Sequence, residues 1–188
     1  MRPRSPHSHS GYKVSELHVF QARKNIKGGA HLAVIKIDSL YVKCFLGRSG
    51  RKALKREGDG ASPIGTYHIT GLYFRPDRLS RPRCLIPTKP MKRNLGWCDD
   101  QRHGQYNRLI VTPFAAGHEE LWRKDHVYDL VFTLNHNSRP RIKGAGSAIF
   151  IHLAHPNDQP TAGCIAISLS ALRRLLPRLA QQVRLTIH

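Results

Sequence analysis

No stretch of this chain holds the roughly 18 consecutive apolar residues that a membrane-crossing helix requires, so no membrane span is expected. None of its four cysteines stands in C-x-x-C spacing with another, which removes the usual mark of structural zinc or of a redox dithiol. Internal repeats and low-complexity tracts are absent as well. Acidic residues are scarce: 12 Asp and Glu face 31 Lys and Arg, a formal charge of +19. Such a charge implies an anionic partner. Nucleic acid is not the expected one, because the basic residues are scattered, with no recognisable nucleic-acid module and no basic stripe interleaved with aromatics. A carboxylate-rich or phosphate-rich polymer, a bacterial cell wall included, satisfies the same charge.

What is present describes one soluble domain. The chain has 188 residues, 40% hydrophobic and 23% charged, enough to bury a core without disulfide staples. The opening MRPRSPHSHSGYKVSEL has arginines but no apolar segment behind them, so it does not read as a secretory signal. Residues 1–14 are expected to be a flexible basic lead-in and 15–188 the folded domain.

LHVFQA, HLAVIKI and LYVKCFLG are short, partly alternating and rich in β-branched or aromatic residues, which predicts antiparallel strands. GDGASPIG predicts a long turn feeding the strand TYHITGLYF. Four prolines between Arg75 and Gly104 exclude a regular helix there and leave a long loop, packed by Leu95 and Trp97. RLIVTPF and DLVFTLN read as strands, EELWRKD as a helical turn, and SAIFIHLA as a strand buried on both faces. In SLSALRRLLPRLAQQV, leucines 169, 172, 175, 176 and 179 recur at helical spacing, with Ser168 as N-cap and Pro177 as kink or stop. VRLTIH closes the chain as a strand. The prediction is a mainly β fold with one late amphipathic helix.

Chemistry concentrates in SAIFIHLAHPNDQPTAGCIAIS, residues 147–168. A cysteine attacks as thiolate and is only a few per cent ionised at neutral pH, so it needs a base. His152 stands twelve positions before Cys164, a separation that suits two neighbouring strands joined by a loop. Gly163 permits a tight turn and close approach of a substrate, and the N–H groups of Gly163 and Cys164 are oriented candidates for an oxyanion. Thr161 can orient the loop or the thiol through its hydroxyl. His155 completes H-x-x-H with His152, but Pro156 and the lack of an acidic partner at helical spacing argue against metal. Cys44, in an apolar run, reads as a small buried hydrophobe, whereas Cys84 and Cys98 lie in loop-like sequence where pairing is open.

Taken with its flanks, this stretch resembles the catalytic signature of the L,D-transpeptidase family with the YkuD-type catalytic domain. His152, Thr161, Gly163, Cys164 and Ile165 meet the signature in order. GDGASPIGTYHI is similar to the family's upstream segment through Gly58, Asp59, Gly60, Ser62, Pro63, Gly65 and Thr66, and GWCDD, YNRLIV and GSAIFIH are similar to one subgroup. The match covers residues 17 to 188. The sequence departs at Ala162, where the family has a second histidine, and at Ala166, where an arginine is common.

The resemblance implies a YkuD-like β-sandwich with the cysteine on the floor of a cleft and a long loop over it. It also implies peptidoglycan L,D-transpeptidation in the periplasm or cell envelope. Cys164 would take the acyl group of a stem peptide, D-alanine would leave, and the acyl group would pass to an amine of a second stem peptide. His152 would be base and then acid. No metal or organic cofactor is implied, and carbapenem-type inhibitors are expected to acylate the thiol. Arg75 and Arg108 are candidates for binding substrate carboxylates, with Tyr106 as an aromatic wall and Thr161 as a further substrate-binding candidate. Two alternatives remain: an L,D-carboxypeptidase or wall-attachment hydrolase on the same scaffold, and a basic binding module with an idle cysteine.

Overall fold

The computed structural model describes residues 13–22 and 29–188; residues 1–12, most of the expected 1–14 lead-in, and residues 23–28 lie outside the described residues. The sheet begins at Val14, one residue before the expected domain start, with β1 (Val14–Gln21), and β2 (Leu32–Ile37) and β3 (Leu40–Phe45) follow as the expected antiparallel meander. Short β4 (Arg51–Lys52) and β5 (Ser62–Pro63) bracket the Gly-Asp-Gly turn, which feeds the long β6 (Gly65–Phe74). The proline-rich region is not all loop: it carries β7 (Thr88–Pro90) and β8 (Leu95–Cys98), the latter paired with β9 (Arg108–Val111) and β10 (His118–Glu120). EELWRKD is therefore no helical turn, because His118–Glu120 forms ladder bonds to β8.

Next come β11 (Leu130–Leu134), β12 (Phe150–Leu153), β13 (Ile165–Ile167), α1 (Leu169–Leu175), and β14 (Leu179–Ile187). The helix is shorter than its leucine spacing predicts. Ser168 caps it as expected, accepting from the Ala171 N–H, but a 3-10 turn over Leu176–Arg178 carries Pro177 and the chain is already extended at Leu179. No described helix is long and apolar enough to cross a membrane.

Nine strands run β11-β12-β13-β3-β2-β1-β14-β6-β7 in one sheet. β6 pairs with β14 through its first half and with β11 through its second, so the sheet folds over and its two halves face each other. The main core lies between them, with Ile35, Leu72, Phe132, Ile151, Ile165 and Leu185 almost fully buried. A second apolar cluster, Met91, Leu95, Leu121, Tyr128, Val131, Phe150 and Cys164, lies on the other face of β11 and β12 beneath the three-stranded sheet. That double burial explains the continuous apolar reading of SAIFIHLA: Ile151 and Leu153 serve the main core, Phe150 the second cluster.

All four cysteines are free, so Cys84 and Cys98 do not pair. The meander is joined to the Gly-Asp-Gly turn at Gly47, where a Cβ would run into the Gly60 carbonyl oxygen. Gly47→Ala is expected to lower stability by about 3 kcal/mol, since backbone has to move to admit the methyl group. Gly104→Ala, where nothing lies within 4 Å of the added carbon, is expected to be neutral; urea denaturation of the two variants checks the contrast.

Candidate active site

β12 and β13 run parallel with Ile151 opposite Ile165 and His152 opposite Ala166. Ile151, Leu153, Ile165 and Ile167 point into the main core, so the alternate positions, His152 on β12 and Cys164 and Ala166 on β13's line, share the opposite face. One further step back along the register sets Cys164 beside Phe150. His152 and Cys164 therefore stand diagonally across neighbouring strands on one face of the sheet.

Both lie on the wall of one cavity of about 510 Å³. The Cys164 thiol is 7% exposed; it donates to the Ala148 carbonyl at 3.1 Å and accepts from the Phe150 N–H at 3.3 Å. Ala148 holds a left-handed backbone (φ 51), secured by its N–H bond to Asn107 Oδ1, and this turn aims its carbonyl at the sulfur. The His152 ring is 5% exposed, edge-on to Tyr128 at 5.2 Å between centroids. Its Nδ1 lies 2.8 Å from the Leu153 carbonyl oxygen. A carbonyl only accepts, so Nδ1 carries the proton and Nε2 keeps a lone pair.

Burial pushes the thiol's pKa well above the usual cysteine range and Glu119 adds to it, against the Phe150 N–H and Lys55, which favour the thiolate. Burial takes His152 down to about 4, partly opposed by its bond to Leu153. The resting pair is thus neutral thiol and neutral imidazole, not an ion pair.

Residues of the loop before β13 hold the cysteine's backbone. Thr161 Oγ1 donates to the Cys164 carbonyl at 2.7 Å and accepts from the Gly163 N–H at 3.1 Å. The Gly163 N–H, expected to face an oxyanion, is therefore engaged by Thr161. Gly163 itself is required at this turn: its φ is 148 and a Cβ would stand 2.9 Å from the Ala61 carbonyl. Ser62 Oγ donates to the same Cys164 carbonyl at 3.3 Å, so the Gly-Asp-Gly segment and the cysteine turn support each other directly.

Of the four residues expected to bind substrate, Thr161 lines the cavity and the other three stand elsewhere. Arg75 is 3% exposed: its guanidinium is bidentate to Asp77 at 2.9 and 2.8 Å, donates to the Arg123 carbonyl and stacks on Trp122 at 3.8 Å. It is a staple inside the fold and does not line the cavity, because a local Asp two residues on takes both its faces. Tyr106 is buried and donates to Glu57 Oε2 at 2.6 Å, so it buttresses a cavity residue from behind and forms no wall. Arg108, on β9, is exposed in a separate groove with Arg139 and Arg141. The cations that do line the cavity are Arg48, Lys55 and Arg123, together with the carboxylates Glu57, Asp99, Glu119 and Asp125. Of these, Lys55 and Glu57 adjoin the Gly-Asp-Gly turn in KREGDG and Asp99 lies in GWCDD, segments that carried a sequence signal, whereas Glu119, Arg123 and Asp125 lie in EELWRKD, which carried none.

A buried cysteine, a histidine with a free Nε2 on the same sheet face, and a cavity carrying both charge signs define a site suited to acyl transfer by a thiol. The L,D-transpeptidase catalytic domain, YkuD, matches residues 27–187 as a family model. The chain belongs to this family, whose members are cysteine-dependent L,D-transpeptidases. No curated protein matches the chain.

The His152 pKa has a consequence for folding. Between pH 6.5 and 4 the unfolded chain binds a proton on this side chain that the folded chain does not, so its contribution to stability is complete above pH 6.5 and is lost as pH falls through that window. The loss is expected to reach about 3 kcal/mol. Urea midpoints at pH 7, 5.5 and 4 should fall accordingly, and His152→Asn, which has no titrating group, should flatten that part of the curve.

Proposed function

We propose that the chain is a peptidoglycan L,D-transpeptidase of the cell envelope, with Cys164 as nucleophile and His152 as the proton carrier. The observation that carries this reading is their common placement, on one face of adjacent parallel strands at the wall of a single cavity. Stem peptides present carboxylates and amines, and a cavity with Arg48, Lys55 and Arg123 together with Glu57, Asp99, Glu119 and Asp125 offers partners to both.

In this reading the Cys164 sulfur adds to the carbonyl carbon of the amide that joins an L-centre to the terminal D-alanine, while its proton passes to His152 Nε2. Because the resting pair is neutral, proton transfer accompanies attack. The Cys164 N–H is the donor we assign to the oxyanion, given that Gly163 donates to Thr161. Collapse breaks the C–N bond, His152 returns the proton to the departing D-alanine amine, and a thioester remains. An amine of a second stem peptide then attacks the thioester, gives its proton to His152 and leaves the cross-linked peptide with the thiol restored. With water as acceptor the same steps give a shortened peptide.

Defined disaccharide tetrapeptides separate these outcomes by mass. A dimer with free D-alanine is expected; tripeptide and D-alanine alone would replace transfer by hydrolysis, and no conversion with unaltered binding to wall polymer would favour the binding module. Cys164→Ala is expected to abolish product, and His152→Ala to slow acylation about 10²- to 10⁴-fold. A carbapenem should add its mass to the wild-type protein and not to Cys164→Ala. Product formed at wild-type rate by Cys164→Ala overturns the assignment.

A further inference from the structure

The neutral resting pair leaves open what draws the sulfur toward its anionic form, and the family's two further basic positions are Ala162 and Ala166 here. Lys55, between β4 and β5, packs against the turns that hold the sulfur. Its side chain is only 5% exposed, and its aliphatic stem runs between two loops: a Cβ on Gly163 would lie 3.6 Å from Lys55 Cε, and one on Gly146 would lie 3.2 Å from it. Gly163 immediately precedes Cys164, and Gly146 leads to Ala148, whose carbonyl accepts the thiol proton.

A lysine is costly to bury unless its charge is held. Lys55 Nζ donates to Asp59 Oδ1 at 2.5 Å and to the Arg56 carbonyl at 2.7 Å, which uses two of its three N–H bonds. Asp59 does not need Lys55 for its own satisfaction. It also accepts from the Ala61 N–H at 2.9 Å and the Arg56 N–H at 3.1 Å, and Lys52 lies 3.9 Å from its other oxygen. A structural anchor for the Gly-Asp-Gly turn would be complete without a lysine reaching into the cavity.

We propose that Lys55, fixed by Asp59, is the positioning cation of this site: it favours the thiolate of Cys164 as charge develops there, taking over from the basic residues that Ala162 and Ala166 replace. The inference rests on Cys164 being the nucleophile. The sign agrees with the surroundings of the sulfur, where Glu119 of β10 opposes the anion and Lys55 favours it. Tyr128 and His152 face the sulfur from β11's approach and from β12, and neither carries a positive charge at rest. The remaining charged groups on the cavity wall are Glu57, Asp99, Arg123 and Asp125, with His155 and Arg48 at the loops. Arg123 is paired with Asp125 at 2.7 Å, so its charge is largely answered where it stands.

The test measures the thiol and needs no peptidoglycan, so it stands apart from success or failure of the transpeptidation assay. Iodoacetamide labelling of the Cys164 peptide is followed by mass spectrometry from pH 6 to 10, with the partly exposed Cys84 as internal reference. Lys55→Gln keeps hydrogen-bond donors but loses the charge. It is expected to move the Cys164 profile to higher pH and to slow labelling at pH 8 about tenfold, the thiolate fraction lost with one pH unit. Lys55→Arg should retain most of the wild-type rate, and Lys89→Gln, which removes a charge from β7, should change nothing. A Lys55→Gln profile that superimposes on wild type overturns the proposal, and so does a uniform slowing at every pH, which marks loss of access only. If Lys55→Gln does not fold, Lys55→Met is judged by the same criteria.

Discussion

The site depends on one acceptor, the Cys164 carbonyl, which receives hydrogen bonds from Thr161 in its own loop and from Ser62 in the Gly-Asp-Gly segment. Those two segments are a hundred residues apart in sequence, and they approach because small residues let backbone meet backbone. Gly47 accepts the Gly60 carbonyl against its α-carbon, and Gly163 accepts that of Ala61. Main-chain bonds from Arg48 N to Thr161 O at 2.9 Å and from Thr161 N to Leu46 O at 3.0 Å close the same seam. The seam fixes which way the Cys164 side chain leaves the strand, toward Ala148 and the cavity, and a sulfur displaced by about 1 Å would lose much of its reactivity.

Burial sets the electrostatic problem that the seam frames. A sulfur on an apolar cluster with Tyr128 and Phe150 resists ionisation, and an imidazole beside it resists protonation. The protein answers with short-range devices: a main-chain N–H on the sulfur, a carbonyl that fixes the imidazole tautomer, and charged side chains from loops. The surplus of basic residues over the whole chain does not describe this cavity, which is lined by four carboxylates and by the three cations Arg48, Lys55 and Arg123. Asp99 is pushed up mainly by burial, with Glu57 adding to it, and Glu119 likewise by burial, with Asp99 and Glu57 adding. The cavity therefore discriminates by the arrangement of charges, and the overall charge of +19 acts at longer range on the approach of an anionic polymer.

Strands, and the placement of His152 and Cys164 on adjacent strands, were legible because each is a local pattern. Alternation marks β1 to β3, and an uninterrupted apolar run marks β12, which is buried on both faces. The second half of β14 was legible in VRLTIH, but its start was hidden: the register slips where Val14 and Glu16 of β1 pair with Leu179 and Arg184, alternation breaks after Leu179, and Leu179 continues the helical spacing of the preceding leucines. β8 and β10 were hidden for another reason: they are short, and it is pairing that makes them strands, β8 with both β9 and β10. The carboxylate-binding arginines were beyond reach because residue type says nothing of direction. Even so, Arg75-Pro-Asp77 held a local signal for an internal ion pair, and it is that pair the structure contains.

The alanines at 162 and 166 carry the remaining step. Ala166 sits opposite His152 in the parallel register and on the same face, so an arginine there would place a cation against the imidazole and disfavour its protonation further. Alanine leaves that position small and neutral, and Ala162 is exposed at the rim. Positive charge enters from the loop walls instead, through Lys55 beneath Gly163, Arg48 beside Gly60, and Arg123 over the Tyr128 ring. Loop-borne cations can face the substrate and the sulfur while staying off the imidazole's own strand pair. In the proposed reaction His152 would then meet no cation from β13; the charges that act on it come from the loop, where Arg123 disfavours its protonation and Asp125 favours it.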